Sequence, residues 1–274
     1  MIELSEARVI ARDLKKEILG KKIVDVGGNF TDHKFTFYLG DTESYKDYLI
    51  GKKVTDIIER NFYIEIEIED YKLIFRDGAN IRYYNKGDII PEKSKLRLRF
   101  EDDTYLNVTV TMYACIGVFD KYKGIDNIYY NFDVDGIGAL DSRFTYEYFK
   151  GLIDDKTIKL STKAFLATEQ RIPGIGNGIV QEILFNAKLA PRTKIKDLSS
   201  VDIKTLYEST INTVKEMIDK NGRDTEKDIY GCSGNYKTVM SNKGFNEGCP
   251  VCKGIIKKEN YLGGSVYYCP TCQK

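Results

Sequence analysis

The sequence contains no run of eighteen apolar residues anywhere in its 274, so it predicts no membrane-spanning helix and no membrane partner. Its first residues, Met-Ile-Glu-Leu-Ser-Glu-Ala-Arg, carry acids and lack the apolar stretch of a secretory leader, which argues against a signal peptide. Charge of one sign is also missing. Lys and Arg number 42 against 41 Asp and Glu, a net +1, and this balance taken in bulk argues against a nucleic-acid binder. Tryptophan is absent, and the 20 tyrosines suit a strand-rich chain. The single histidine, His33, precedes an alternating stretch and reads as a surface or packing residue rather than a base. No internal repeat or low-complexity tract is present. With 42% hydrophobic and 30% charged residues the composition is that of an ordinary globular protein, and the length suggests about two domains.

Cysteine is scarce, and four of the six fall in one short segment. Cys249-Pro-Val-Cys252 and Cys269-Pro-Thr-Cys272 stand sixteen residues apart. Each CxxC turn offers two thiolates at bite distance, and two such turns predict a tetrahedral structural zinc site. Two disulfides are the alternative that such cysteines allow. A segment of about 30 residues builds almost no core of its own, so the metal would supply its folding energy. The spare residues Cys115 and Cys232 fit a reducing cytoplasm and read as packing positions. The charge is also unevenly spread. Residues 1–150 hold four more acids than bases and residues 151–274 five more bases than acids, a split that hints at a polyanion-facing C-terminal half.

Residues 5–19 predict a helix, with Ser5 as its cap and Ala7, Val9, Ile10, Leu14 and Ile18 as its apolar stripe. Residues 22–131 predict strands. Phe62 to Glu69, Leu96 to Phe100 and Leu106 to Val110 alternate with a period of two, which makes Glu65, Glu67 and Glu69 a solvated face. Asp77-Gly78 and Asn85-Lys-Gly87 read as turns, and the whole as an antiparallel sandwich or barrel. Residues near 132–143 form a polar linker. Helices follow at 146–153, at about 161–170 with Ser161 as cap, at about 178–188, and from a Ser200 cap to Asn221-Gly222. Between the second and third of these lies the tight connection Arg171-Ile-Pro-Gly-Ile-Gly-Asn177, and residues 223–247 read as an irregular polar loop.

This order, with three motifs, resembles the formamidopyrimidine-DNA glycosylase and endonuclease VIII family of base-excision repair. Ile-Glu3-Leu-Ser-Glu6-Ala is similar to the family's N-terminal Pro-Glu-Leu-Pro-Glu-Val. Lys163 through Asn177 and on to Phe185 resembles its helix–two-turn–helix. Tyr267-Tyr-Cys-Pro-Thr-Cys-Gln273 resembles the outer strand of its zinc finger. The resemblance implies an α+β protein in four parts. These are an N-terminal helix with a β-sandwich catalytic-like domain over 1–131, a linker over 132–144, a helix–two-turn–helix domain over 145–244 and a four-cysteine finger over 245–274. It implies a cytoplasmic monomer that binds lesion-bearing duplex DNA, releases the damaged base and cleaves at the abasic site. In it Asn177, Gly176 and Lys163 hold phosphate and Cys249, Cys252, Cys269 and Cys272 hold a structural zinc. The physics of the turn agrees: free N–H groups at a helix start attract phosphate, and glycine admits a close backbone.

The sequence departs from the family at four places. Family enzymes attack C1′ with the amine of an N-terminal proline, and the adjacent glutamate acts as acid. Here Glu3 is present, but Ile2 stands where proline is expected, and its amine is exposed only if Met1 is removed. The family's catalytic lysine falls on Asn61 and the finger's arginine on Gly264. The wedge that fills the hole left by an everted base is also missing; Tyr113, in Met112-Tyr-Ala-Cys-Ile-Gly117, is the stacking candidate, or else a solvent-side strand tyrosine. Arg223 to Asp228 falls where the family's lesion loop lies, and reads either as that loop or as solvated chain. These changes leave a second reading open, a catalytically silent module that binds damaged DNA.

Overall fold

The computed structural model describes residues 1–29 and 35–274, so His33 lies outside the described residues. The chain divides into two compact units, one of residues 1–134 with 226–234 and one of residues 135–225 with 235–274.

The first unit opens with helix α1 (Leu4–Ile18). Ala7, Ile10, Ala11, Leu14 and Ile18 form its buried stripe, as the spacing predicts. The cap is Glu3, not Ser5: Glu3 and Glu6 make a reciprocal capping box, with the Glu3 N–H donating to Glu6 Oε2 at 3.3 Å. Ser5 is displaced because its hydroxyl turns instead to Glu6 Oε1, at 3.0 Å. Then come β1 (Ile23–Gly27), β2 (Thr36–Leu39), the short α2 (Tyr45–Leu49), β3 (Val54–Arg60), β4 (Tyr63–Ile68), β5 (Tyr71–Tyr84), β6 (Leu96–Phe100) and β7 (Tyr105–Asp120). They join in one seven-stranded sheet, ordered β1-β6-β7-β5-β4-β3, with β2 on β7. The β2–β7 pair is parallel, against the all-antiparallel expectation. One face packs on α1 in a core that includes Ile2, Ile64, Ile66, Phe75, Ile81, Leu98 and Ile116.

Two readings of the strands are corrected. Asp77-Gly78 is not a turn; β5 runs through it with a bulge between Asp77 and Ala79. Asp77 takes φ +58°, which aspartate tolerates better than most residues, and a Cβ on Gly78 would lie 2.9 Å from the Tyr113 carbonyl oxygen. Glu65 is not solvated. It is fully buried, accepting from Tyr130 Oη at 2.5 Å and Lys72 Nζ at 2.8 Å. Its face is covered because α3 (Ile128–Asp135) forms across the end of the expected strand region and the start of the expected linker, and Tyr130 packs there with Phe62, Tyr63, Ile74 and Phe119.

The second unit is helical, with a hairpin at its end. Helix α4 (Tyr146–Gly151) is capped by Thr145, α5 (Thr162–Ala167) by Ser161 and α6 (Asn177–Asn186) by Gly176. Helix α7 (Ser200–Asp219) is capped by Ser199, one residue earlier than expected, because Asp202 sits at the position that completes a capping box. Phe144, Phe149, Phe165 and Tyr207 pack as a ring cluster among these helices. Within the segment expected to be irregular, Asn242–Glu247 forms α8, and residues 226–234 belong to the first unit. Strands β8 (Lys257–Tyr261) and β9 (Gly264–Tyr268) pair antiparallel.

Candidate functional site

The four finger cysteines converge. Their sulfurs all lie within 4.8 Å of one another, with Cys249 and Cys272 at 3.8 Å and Cys252 and Cys269 at 3.5 Å. A tetrahedral zinc with sulfur at about 2.3 Å sets its ligands about 3.8 Å apart, whereas a disulfide needs about 2.05 Å. The donor set and spacing therefore fit a metal, and all four thiols are free. The turns are fixed by backbone bonds from Lys253 N–H to the Cys249 carbonyl and from Gln273 N–H to the Cys269 carbonyl, at 2.9 and 3.0 Å. Gln273 closes the far side, accepting from Cys269 N–H at 2.8 Å and donating to the Leu189 carbonyl at 2.8 Å.

The finger docks on the start of α6. Asn177 Nδ2 donates to the Ser265 carbonyl at 3.1 Å. One turn on, Gln181 donates to the Asn177 carbonyl at 2.7 Å and accepts from Tyr267 N–H at 2.6 Å. Lys163 is buried, with Nζ donating to the Tyr261 carbonyl at 2.9 Å, and burial lowers its pKa from the ordinary lysine value. Asn177 and Lys163 thus meet the hairpin inside one unit, and Gly176 stands beside Asn177 as the cap of α6. Gly264, at the tip, lies where a Cβ would sit 3.6 Å from the Asn177 amide. Just behind, Glu182 is buried, accepting from Met240 N–H at 2.7 Å and Tyr236 Oη at 3.3 Å. Loss of solvation pushes its carboxyl up to about 7, against the pull of those donors and of Arg223.

The N-terminal candidates lie in the first unit. Ile2 is buried in the core, and its N–H donates to the Asp77 carbonyl at 2.7 Å, extending the sheet by one bridge at the bulge. Glu3 is buried at the first turn of α1, where the N-terminal end of the helix favours its charge. The Met1 ammonium pairs with Glu226 at 2.5 Å, within the same unit.

The profile described as "Formamidopyrimidine-DNA glycosylase H2TH domain" matches residues 136–228. The whole chain aligns with formamidopyrimidine-DNA glycosylases, 25% identical to one from Bacillus cereus over 99% of that protein and 28% identical to one from Lactococcus lactis over all of it. Among solved structures it superposes on the Lactococcus lactis Fpg crystallised with abasic-site DNA, with a TM-score of 0.84, 24% identity and 99% of each chain covered.

The chain is similar along its whole length to formamidopyrimidine-DNA glycosylases, and its residues 136–228 match their H2TH domain.

Against the family pattern, the structure adds residues that sequence reasoning missed. Asn61 donates to the Asp133 carbonyl at 2.7 Å. The cation of that neighbourhood is Arg76, from the adjacent strand. Its guanidinium meets Tyr63 Oη at 2.6 Å, Asp77 Oδ2 at 2.6 Å and Asp133 Oδ2 at 2.9 Å, and lies over the Phe62 ring at 5.3 Å. No spacing in the sequence joins Tyr63, Arg76 and Asp133; only the pairing of β4 with β5 and the placement of α3 do. Gln181 carried a signal that was available, since it stands four residues after Asn177 on the same helix face. Tyr113 is half exposed at 53%, with Phe35 edge-on and Phe37 stacked beside it. Cys115 is a packing residue, its thiol pushed up to about 12 by burial, whereas Cys232 is exposed, against the expectation of a packing position.

Proposed function

We propose that this protein is a DNA N-glycosylase of base-excision repair that binds damaged duplex DNA and carries a structural zinc in its finger. The observation that carries the reading is the junction of Asn177, at the N-terminus of α6, with the hairpin tip at Ser265, 3.1 Å away. A helix start and a metal-pinned hairpin on one surface make the two grips that a sugar–phosphate strand needs, one by the helix dipole and one by reach. The similar proteins from Bacillus cereus and Lactococcus lactis are glycosylases, and the superposed structure holds abasic-site DNA, which supports the same class.

In this reading Gly176 and Asn177 hold phosphate, with Lys163 supporting the hairpin and adding positive charge behind it. Cys249, Cys252, Cys269 and Cys272 bind the zinc, which contributes folding energy. Tyr113 stacks in the space of an everted base. Glu3 handles the proton, as acid to the sugar or as base to the attacking water. The burial of Ile2 and the bond from its N–H to Asp77 favour hydrolysis while Met1 is in place; amine attack, with strand cleavage after it, belongs to a chain processed to Ile2.

The test is a panel of duplexes carrying oxidised purines, oxidised pyrimidines and abasic sites, assayed for base release, with intact-mass measurement of the N-terminus and borohydride trapping. We expect base release from at least one lesion, and no trapped adduct while Met1 is retained. Glu3→Gln should lower turnover at least 100-fold, within the ~10²–10⁴ range of a general acid or base, and leave DNA affinity within about twofold. Salt-dependent binding without release from any substrate would establish the silent binding module instead.

A further inference from the structure

The finger hairpin is fastened to the helices of its unit along both strands, by different means. Strand β9 is held through its backbone: its Ser265 carbonyl accepts from Asn177 and its Tyr267 N–H donates to Gln181, both on α6. Strand β8 is held at its last residue, Tyr261. The Tyr261 hydroxyl donates to Ser161 Oγ at 3.0 Å, and the same oxygen caps α5 by accepting from the Ala164 N–H at 3.1 Å. The Tyr261 carbonyl takes the Lys163 ammonium at 2.9 Å. The Arg192 guanidinium, from the turn after α6, lies 4.0 Å from the centre of the Tyr261 ring, and Lys163 Nζ lies 5.8 Å from it. A ring face attracts both cations.

Strand β8 has little else to fix its register. Lys257, Lys258 and Asn260 are exposed, and only Glu259 and Tyr261 are half-buried. A two-stranded ribbon of such polarity specifies its pairing weakly. Glu259, two residues before Tyr261 and so on the same face, bonds the same guanidinium, with Arg192 Nε donating at 2.8 Å. Tyr261 and Gly264 form the last pair before the turn, and Asn260 and Ser265 the next. A slip of one residue would turn Tyr261 to the opposite face, away from Ser161 and Arg192, and would carry the Ser265 carbonyl off Asn177. An amide nitrogen carries two hydrogens, so the one that Asn177 gives to Ser265 sets the direction of the other.

We infer that Tyr261 is the positioning residue of the hairpin: held between Ser161, Lys163 and Arg192, it fixes the register of β8 on β9 and so the place of the Ser265 carbonyl that orients the Asn177 amide. It acts through Ser265 and Asn177, not on a ligand. That the oriented amide then meets a phosphate rests on the glycosylase reading; the register argument does not.

The test is NMR of the side-chain amides of the full-length, zinc-loaded protein, with the Asn177 pair assigned by its loss in Asn177→Asp. Tyr261→Leu should move that pair toward the position of a solvated amide. Tyr261→Phe keeps the ring and both cations and loses only the hydroxyl bond, and should restore most of the wild-type position. In titrations with an abasic-site duplex Tyr261→Leu should weaken binding about tenfold, the loss expected of one charge-assisted hydrogen bond, and Tyr261→Phe should recover it. An unmoved Asn177 pair in Tyr261→Leu, or a Tyr261→Phe protein no closer to wild type than Tyr261→Leu, would overturn the proposal. If Tyr261→Leu loses its zinc, Arg192→Leu decides: it leaves Tyr261 and the finger intact, and should move the Asn177 pair in the same direction by a smaller amount, whereas no movement would overturn the proposal. The NMR readout needs no DNA. A wild-type protein that binds no duplex would retire the phosphate reading and leave the register result standing, and duplex binding with an unmoved Asn177 pair would do the opposite.

Discussion

Two buried glutamates show how burial reverses what a residue type suggests. Glu65 belongs to an alternating strand whose polar positions ordinarily face water, yet it is enclosed by Tyr130, Lys72 and Arg60. Glu182 follows Gln181 in the buried part of α6 and holds the segment that leads to the finger through Met240. Its folded pKa lies near 7, above the ordinary value of 4.5. The native state therefore keeps a proton that the unfolded chain has released, so the contribution of Glu182 to stability is full below about pH 4.5 and is lost as pH rises toward 7. At about 1.36 kcal/mol per pKa unit this amounts to roughly 3 kcal/mol. Thermal melts of wild type and Glu182→Gln from pH 4.5 to 8 should show the wild type losing stability across this window and the variant, with the other titrating groups unchanged, losing clearly less. Parallel curves would mean that burial does not raise the Glu182 pKa.

At the scale of elements, the long strands β5 and β7 depend on a bulge that one glycine permits. A Cβ at residue 78 would press on the Tyr113 carbonyl, a backbone atom that cannot swing aside. Gly78→Ala should cost about 1–3 kcal/mol in denaturant melts, the usual range for overpacking, and should disturb Tyr113. The pattern Asp77-Gly78 was legible as a special backbone site but not as a bulge, because turn and bulge use the same positive-φ chemistry and differ only in whether the strands continue to pair. Helix caps were more legible. Ser161 was read correctly because its hydroxyl bond to Ala164 is local, and Ser199 was missed by one residue because two serines adjoin and Asp202 chooses between them.

At the scale of the whole molecule, the chain does not respect its own sequence order. Residues 226–234 leave the helical unit and complete the sheet unit, where Ile229 is fully buried and its carbonyl accepts from Tyr83 N–H at 2.9 Å. Tyr230 bonds Glu17 and Glu226 pairs with the Met1 ammonium. Ile229→Ala should therefore destabilise the sheet unit by about 2–5 kcal/mol, as core truncations do, seen as lost amide protection in β5 although the residue lies far along the chain. Metal removal should act on the other unit. Chelation should erase hydrogen-exchange protection over 249–274, and weaken it at Ala190, whose N–H donates to the Lys274 carbonyl at 2.8 Å. Undiminished protection in β8 and β9 after complete chelation would show that the small core of Met240, Ile256 and Tyr267 suffices.

The sequence by itself determined what depends on neighbours along the chain: the apolar stripe of α1, the alternation of the strands, the helix starts near Ser161 and Asn177, and the paired CxxC turns. Such features answer to dihedral preference, capping and bite distance, which a few consecutive residues settle. Only the tertiary structure decided what depends on partners far apart: the burial of Glu65 and Glu182, the guanidinium of Arg76 beside Tyr63 and Asp133, the hairpin carbonyl on Asn177, and the transfer of residues 226–234 to the sheet unit. Each of these is a polar or apolar group removed from water by an element remote in sequence, and desolvation leaves no local pattern by which it can be read.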